Sequence, residues 1–219
     1  MVSRDDAQTG GALTVKCCGT RQAHSLEYQV RFLELSYDGF ASRQTTAMSA
    51  FVTSDWHLGH SKMLDFLQPD GTALRPFSSI EEMHETLIER HNKLVHVKDR
   101  VYILGDVVIP RSALKLIDRF NGKKVLIAGN HDIYRIKDYL PYFEDVRGAF
   151  YRDTLIFTHI PVHPSNLQGR YIGNVHGHLH CHQIFTDDGQ VDRRFFNACL
   201  ERNGFAPVPL DCIKQYFGQ

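Results

Sequence analysis

From residue 50 onward, short apolar runs alternate with amphipathic stretches, and five of those runs stop at a residue able to ligate a metal. AFVTS (50–54) runs into Asp55-Trp56-His57, RVYILG (100–105) into Asp106, and KKVLIAG (123–129) into Asn130-His131-Asp132. DTLIFT (153–158) ends at His159, and GNVHG (173–177) opens onto His178-Leu179-His180. Apolar runs of this length, bounded by Gly-polar turns, read as buried strands. Strand and helix in alternation predict a layered α/β fold, in which ligands collect at the carboxyl ends of the strands. Five strand ends that bring Asp, Asn or His to one rim restrict fold and chemistry together.

The connecting segments agree. SSIEEMHETLIERHNKLV (78–95) is the clearest helix: Ser79 and Glu82 form a capping box, and Ile80, Met83, Leu87, His91 and Leu94 share a face. SALKLIDRF (112–120) reads as helical, RRFFNACL (193–200) as a last strand and PLDCIKQYF (209–217) as a short terminal helix. Residues 1–47 differ in character. They are polar and rich in Gly and Thr, with one possible strand at 26–37. They read either as an added segment or as sequence upstream of the natural start, leaving 48–219 as the domain that holds the five strand-end blocks.

The 25 basic and 25 acidic side chains cancel, so no bulk field recruits nucleic acid or a membrane surface. The five cysteines (Cys17, Cys18, Cys181, Cys199, Cys212) are odd in number and lack CxxC spacing. This argues against a disulfide framework or a zinc knuckle and suits a reducing cytoplasm. No apolar run reaches the length of a membrane span. Thirteen histidines are an excess of the commonest metal ligand. Four of them, His176, His178, His180 and His182, alternate along GNVHGHLHCHQ. On one strand they would line a single face.

Carboxylate, amide and imidazole donors without cysteine suit Mn²⁺, Fe²⁺, Ni²⁺ or Zn²⁺. Seven potential ligands exceed what one tetrahedral catalytic metal takes from protein, so two metals sharing a carboxylate fit better.

The blocks Asp55-Trp56-His57, Gly105-Asp106, Gly129-Asn130-His131-Asp132, His159 and Gly177-His178-Leu179-His180 stand in the order D-x-H, G-D, G-N-H-D/E, H, G-H-x-H. In this the chain resembles the calcineurin-like metallophosphoesterases over residues 50 to about 200, in a small form without a large cap insertion. The resemblance implies an αββα-type sandwich of mixed sheets with the metal site at strand carboxyl ends. It implies one divalent ion held by Asp55, His57, Asp106 and His180, and a second by Asp106, Asn130, His159 and His178, with Asp106 bridging. Mn²⁺ is the foremost candidate, with Fe, Ni, Zn or Mg as the others. His131 would be the catalytic imidazole outside the metal shells, and Asp132 would orient it or a ligand.

The implied reaction is hydrolysis of a phosphodiester of nucleotide type or another small diester, by in-line attack of a metal-bridging hydroxide. The alternatives are a nuclease using the same centre, or a non-catalytic module that binds metal and phosphate. His60, Arg75 and His163 are candidate substrate contacts, Arg75 because guanidinium suits phosphate oxygens. Many family members extend G-D to G-D-x-x-D; here Ile109 stands at the second aspartate.

Overall fold

The computed structural model describes residues 48–219; the possible strand at 26–37, like the rest of segment 1–47, lies outside the described residues. Four parallel strands form most of one sheet: β1 (Ala50–Thr53), β2 (Arg100–Ile103), β3 (Lys123–Ile127) and β4 (Asp145–Arg147). The second sheet holds β5 (Phe150–Arg152), β6 (Leu155–Phe157), β7 (Gly173–His176) and β8 (Phe195–Asn197), parallel apart from the β5–β6 pair. A two-residue strand, β9 (Val208–Pro209), adds antiparallel to β1, so the first sheet runs β4-β3-β2-β1-β9 and the second β5-β6-β7-β8.

Side-chain alternation explains the layering. Along the first sheet Phe51, Val101, Ile103 and Leu126 point to the outer face, under α1 (Ile80–Leu94) and the 3-10 segment Arg111–Arg119. Val52, Tyr102, Leu104, Val125 and Ile127 point the other way, against Leu155, Phe157, Val175 and Phe196 of the second sheet. Strands buried on both faces read as continuous apolar runs, with the period of two hidden inside them. Each such side chain contributes about 1.5–3 kcal/mol by leaving water. The outer face of the second sheet carries a thinner layer, in which Ile156, Leu167 and Phe195 pack with Val162, Tyr171 and Ile184. The terminal helix α3 (Leu210–Tyr216) puts Leu210, Cys212 and Ile213 into the core between the sheets. The four-residue α2 (Ile136–Tyr139) follows the turn after β3.

Helix α1 starts where its cap dictates. Ser79 is extended (φ −150°) and its Oγ accepts from Glu82 N–H at 3.0 Å. The Glu82 carboxylate accepts from Ser78 N–H at 2.7 Å, one residue further back than the reciprocal capping box predicts. Met83, Leu87 and His91 are buried on its inner face. His91 meets the edge of Trp56, which stacks on Phe120 at 4.1 Å between centroids. This packing fixes the turn after β1, where the first chemistry-bearing residues stand. Among the described residues, no helix is long and apolar enough to cross a membrane.

Candidate metal centre

Each polar group named from the strand ends leaves the carboxyl end of its strand. The first two ends stay zipped past the sheet: Asp55 N–H donates to Gly105 O, His57 N–H to Asp106 O and Leu58 N–H to Val107 O, at 2.9–3.1 Å. The sheets also meet beyond their strands, through a bridge between Ser54 and Cys199. Two groups of donors result. Asp55, His57 and His180 have ligand atoms mutually within 4.8 Å, and so do Asp106, His159 and His178.

Asp106 joins them. Its Oδ2 lies 3.8 Å from His57 Nε2 on one side and 3.3 Å from His159 Nε2 on the other. His159 Nε2 is also 2.8 Å from Asn130 Oδ1 and 3.2 Å from His178 Nδ1, which brings Asn130 into the second group. On the first side, Asp55 Oδ1 is 3.6 Å from His57 Nε2 and 3.8 Å from His180 Nε2. His131 is exposed; its backbone N–H donates to Asp106 Oδ1 at 2.8 Å and its ring stands 5.6 Å from that of His57.

Asp55 Oδ1 and both ring nitrogens of His57 are buried without a hydrogen bond. Such atoms cost about 1–3 kcal/mol each unless something pairs with them, and a cation among carboxylate and imidazole donors does so. Charge agrees with this. Burial alone would raise both aspartates, but the surrounding imidazoles hold Asp55 and Asp106 below the ordinary carboxylate range. Burial alone would lower His159 and His180, yet Asp106 raises the first and Glu201 the second. The pocket attracts positive charge, whether protons or a metal that displaces them.

The backbone is bent to build this place. Asp55 (φ 58°), His57 (49°), Asp106 (54°), His178 (69°) and His180 (49°) are all left-handed, a conformation that costs a non-glycine residue about 1 kcal/mol or more. The alternating histidines therefore do not form one row, because β7 ends at His176. His176 is buried with Nδ1 on Gly177 O, His182 is exposed, and only His178 and His180 turn into the two groups. Gly177 permits this approach: a Cβ there would lie 1.9 Å from Ser54 Oγ and 2.5 Å from Asp55 Oδ2.

Surrounding groups set the orientation of the inner ones. Asp132 accepts from Asp106 N–H, Gly129 N–H and Val107 N–H at 2.8–3.0 Å, tying the turn after β2 to the turn after β3. It therefore steadies the backbone of Asp106 and not the His131 ring. Asp55 Oδ2 sits 2.9 Å from the His178 N–H and 3.2 Å from Cys199 Sγ, which leaves Oδ1 facing inward. His159 Nδ1 is 2.7 Å from Leu104 O, which turns its Nε2 toward the second group. Glu201 does the same for His180, with Oε1 3.1 Å from Nδ1. Sequence reading had passed over Glu201; no local pattern around it carries a signal.

The three expected substrate contacts fare differently. Arg75 is completely buried and its guanidinium is committed to Glu201 and to the carbonyls of Asp55 and Trp56. This corrects the expectation of a phosphate contact: the residue faces inward because two carbonyls and a carboxylate need its fork of donors. His163 is exposed and caps the turn Pro164–Asn166 through Ser165, outside both groups. His60 does flank the site, its ring 5.8 Å from His57 and 6.2 Å from the half-exposed Phe66.

The family model described as "Calcineurin-like phosphoesterase" matches residues 48–210. The uncharacterized protein MJ1445 of Methanocaldococcus jannaschii is 32% identical, over 74% of this chain and 88% of that protein. Among solved structures, the protein of unknown function AQ665 from Aquifex aeolicus shares the fold. It aligns with a TM-score of 0.59 at 18% identity, over 77% of this chain and 99% of its own. A novel archaeal phosphodiesterase aligns over 68% of this chain and 82% of its own at 19% identity, with a TM-score of 0.39, below what a shared fold requires.

Proposed function

The chain belongs to the calcineurin-like phosphoesterases, metal-dependent hydrolases of phosphoric esters, and from that premise we propose that it cleaves small phosphodiesters at a centre of two divalent cations. The observation that carries this reading is Asp106 Oδ2, lying between His57 Nε2 at 3.8 Å and His159 Nε2 at 3.3 Å. One carboxylate oxygen serves both donor groups there, as a bridge between paired ions requires. Asp55, His57 and His180 complete one side; Asn130, His159 and His178 complete the other. Mn²⁺ is the ion we favour for a mixed carboxylate, amide and imidazole set. Bound there, the pair would supply Lewis acidity that makes water nucleophilic near neutral pH and offsets phosphoryl charge.

The chain's own residues do the remainder. His131 is the exposed imidazole beside the centre, held by its backbone N–H on Asp106, and donates a proton to the departing alkoxide. General acid assistance of this kind contributes about 10²–10⁴-fold. His60 and Phe66 border the opening on the His57 side, where one ester substituent would rest. Asn130 and His131 are exposed and His178 and His180 partly so, an open rim that suits accessible diesters over enclosed substrates.

The test is hydrolysis of bis-p-nitrophenyl phosphate by the full chain with Mn²⁺. His131→Ala should lower kcat by about 10²–10⁴-fold on a diester with an alkoxide leaving group, and less on the aryl ester, whose phenolate needs little protonation, with metal content unchanged; Asp106→Asn should lose both activity and metal. Undiminished turnover in both variants would remove the mechanism. Parallel incubation with single- and double-stranded nucleic acid separates a small-molecule diesterase from a nuclease.

A further inference from the structure

We propose that Arg75 and Glu201 form a buried strut that positions the Asp55–His57–His180 half of the metal centre and leaves the Asp106–His159–His178 half to other supports. The proposal rests on the dinuclear reading above. Arg75 comes from the loop before α1 and Glu201 from the turn after β8, 126 residues apart. Their side chains are 0% and 2% exposed, so neither meets substrate. Arg75 Nε donates to Glu201 Oε1 at 2.8 Å, its Nη1 donates to Trp56 O at 2.9 Å, and its Nη2 donates to Asp55 O. Glu201 Oε1 also meets His180 Nδ1 at 3.1 Å.

One ion pair thus grips two ligands from opposite directions. On the Asp55 side, the guanidinium engages the carbonyls of a left-handed residue (φ 58°) and of its neighbour Trp56, exposing the Asp55 carboxylate to the first group. On the His180 side, the carboxylate accepts the Nδ1 proton, which fixes the tautomer and turns the Nε2 lone pair inward. The planar fork of arginine spreads its donors over three nitrogens to reach these three acceptors, whereas all three donors of lysine radiate from one nitrogen. Different groups brace the other half. Leu104 O holds His159 Nδ1, and Asp132 holds the backbone of Asp106. The two ring-bracing contacts are thus separate, Glu201 behind His180 and Leu104 O behind His159.

The test is calorimetric titration of the metal-free full chain with Mn²⁺, alongside its metal-free melting temperature. The wild type should bind two ions. Glu201→Gln should weaken one class of site about 10–100-fold, the usual effect of removing a carboxylate behind a ligating histidine, while the other changes little. His57→Ala should abolish that same class. Arg75→Lys keeps the buried positive charge and should weaken the same class; it carries the test if Glu201→Gln fails to fold. A lower melting temperature with both affinities unchanged, or equal weakening of both classes, would overturn the strut in favour of plain packing. A wild type that binds no Mn²⁺ would overturn the dinuclear reading itself, a distinguishable failure.

Discussion

Gly177→Ala tests the close approach of the turn after β7 to the end of β1. An added Cβ would sit 1.9 Å from Ser54 Oγ, 2.9 Å from Ser54 Cβ and 2.5 Å from Asp55 Oδ2. None of these atoms can step aside cheaply. Ser54 is fully buried, with its hydroxyl between Leu104 O at 2.7 Å and Asp55 Oδ2 at 2.5 Å, and Asp55 also receives the His178 N–H. Relief must come from parting the two sheets at the Ser54–Cys199 bridge or from moving Asp55. Overpacking against such rigid neighbours costs about 3 kcal/mol. At about 2–4 °C per kcal/mol for a chain of this size, the melting temperature should fall by about 6–12 °C. Gly148→Ala is the control, since nothing lies within 4 Å of a Cβ there; it should be neutral or stabilising by up to about 1 kcal/mol. Differential scanning calorimetry of both variants, metal-free and with Mn²⁺, gives the comparison. Gly177→Ala melting alongside Gly148→Ala would mean that the turn after β7 yields freely, and the close-approach argument would be lost.

Three further outcomes are expected. Chelation should lower the melting temperature, because Mn²⁺ at about 100 times its Kd adds about 2.7 kcal/mol; thermal scans with and without EDTA that coincide would count against metal binding. Burial pulls His91 down to about 4 from 6.5, against the opposing pull of its contact with Asn121 O. Its folded value lies below its unfolded one, so its contribution is complete above pH 6.5 and drains away as pH falls towards 4, a loss of about 3 kcal/mol. Urea midpoints across that window should fall more steeply for the wild type than for His91→Gln; parallel slopes would refute the assignment. Arg119 lies across from Glu85 on the exposed face, with both of its contacts to that carboxylate at 2.6 Å; water screens such a pair, so Arg119→Ala should leave the urea midpoint close to that of the wild type, and a clear fall would refute this reading.

The parts of the fold legible in the sequence were those buried on both faces. Phe51-Val52, Val101 to Leu104 and Val125 to Ile127 fill cores on either side of one sheet, so their apolar runs stand out against any background. Three short edge strands, β4, β5 and β9, left no such trace, whereas the buried edge strand β8 did. Asp145–Arg147 and Phe150–Arg152 are three-residue strands in which no residue is fully buried, and Val208–Pro209 is only two residues long and includes a proline. Residues 112–120 read as helical and form a 3-10 segment, Arg111–Arg119; three residues per turn place Ala113, Leu114 and Ile117 against the core. At the site, residues that follow strands were readable because the strand delivers them. Arg75 was readable as a charged loop residue but not as a buried one, because its partners at 55, 56 and 201 become neighbours only in the folded chain. Glu201 was invisible for the same reason.

Trp56 is the single tryptophan of the chain, fixed between Asp55 and His57 and stacked on Phe120. Its emission therefore has one source, rooted in the backbone segment that carries two of the proposed ligands. A paramagnetic ion such as Mn²⁺ settling beside that segment would quench the signal, while Mg²⁺ in the same place would leave it bright. Tryptophan emission would then report on the Asp55 side alone, without a label or a substrate.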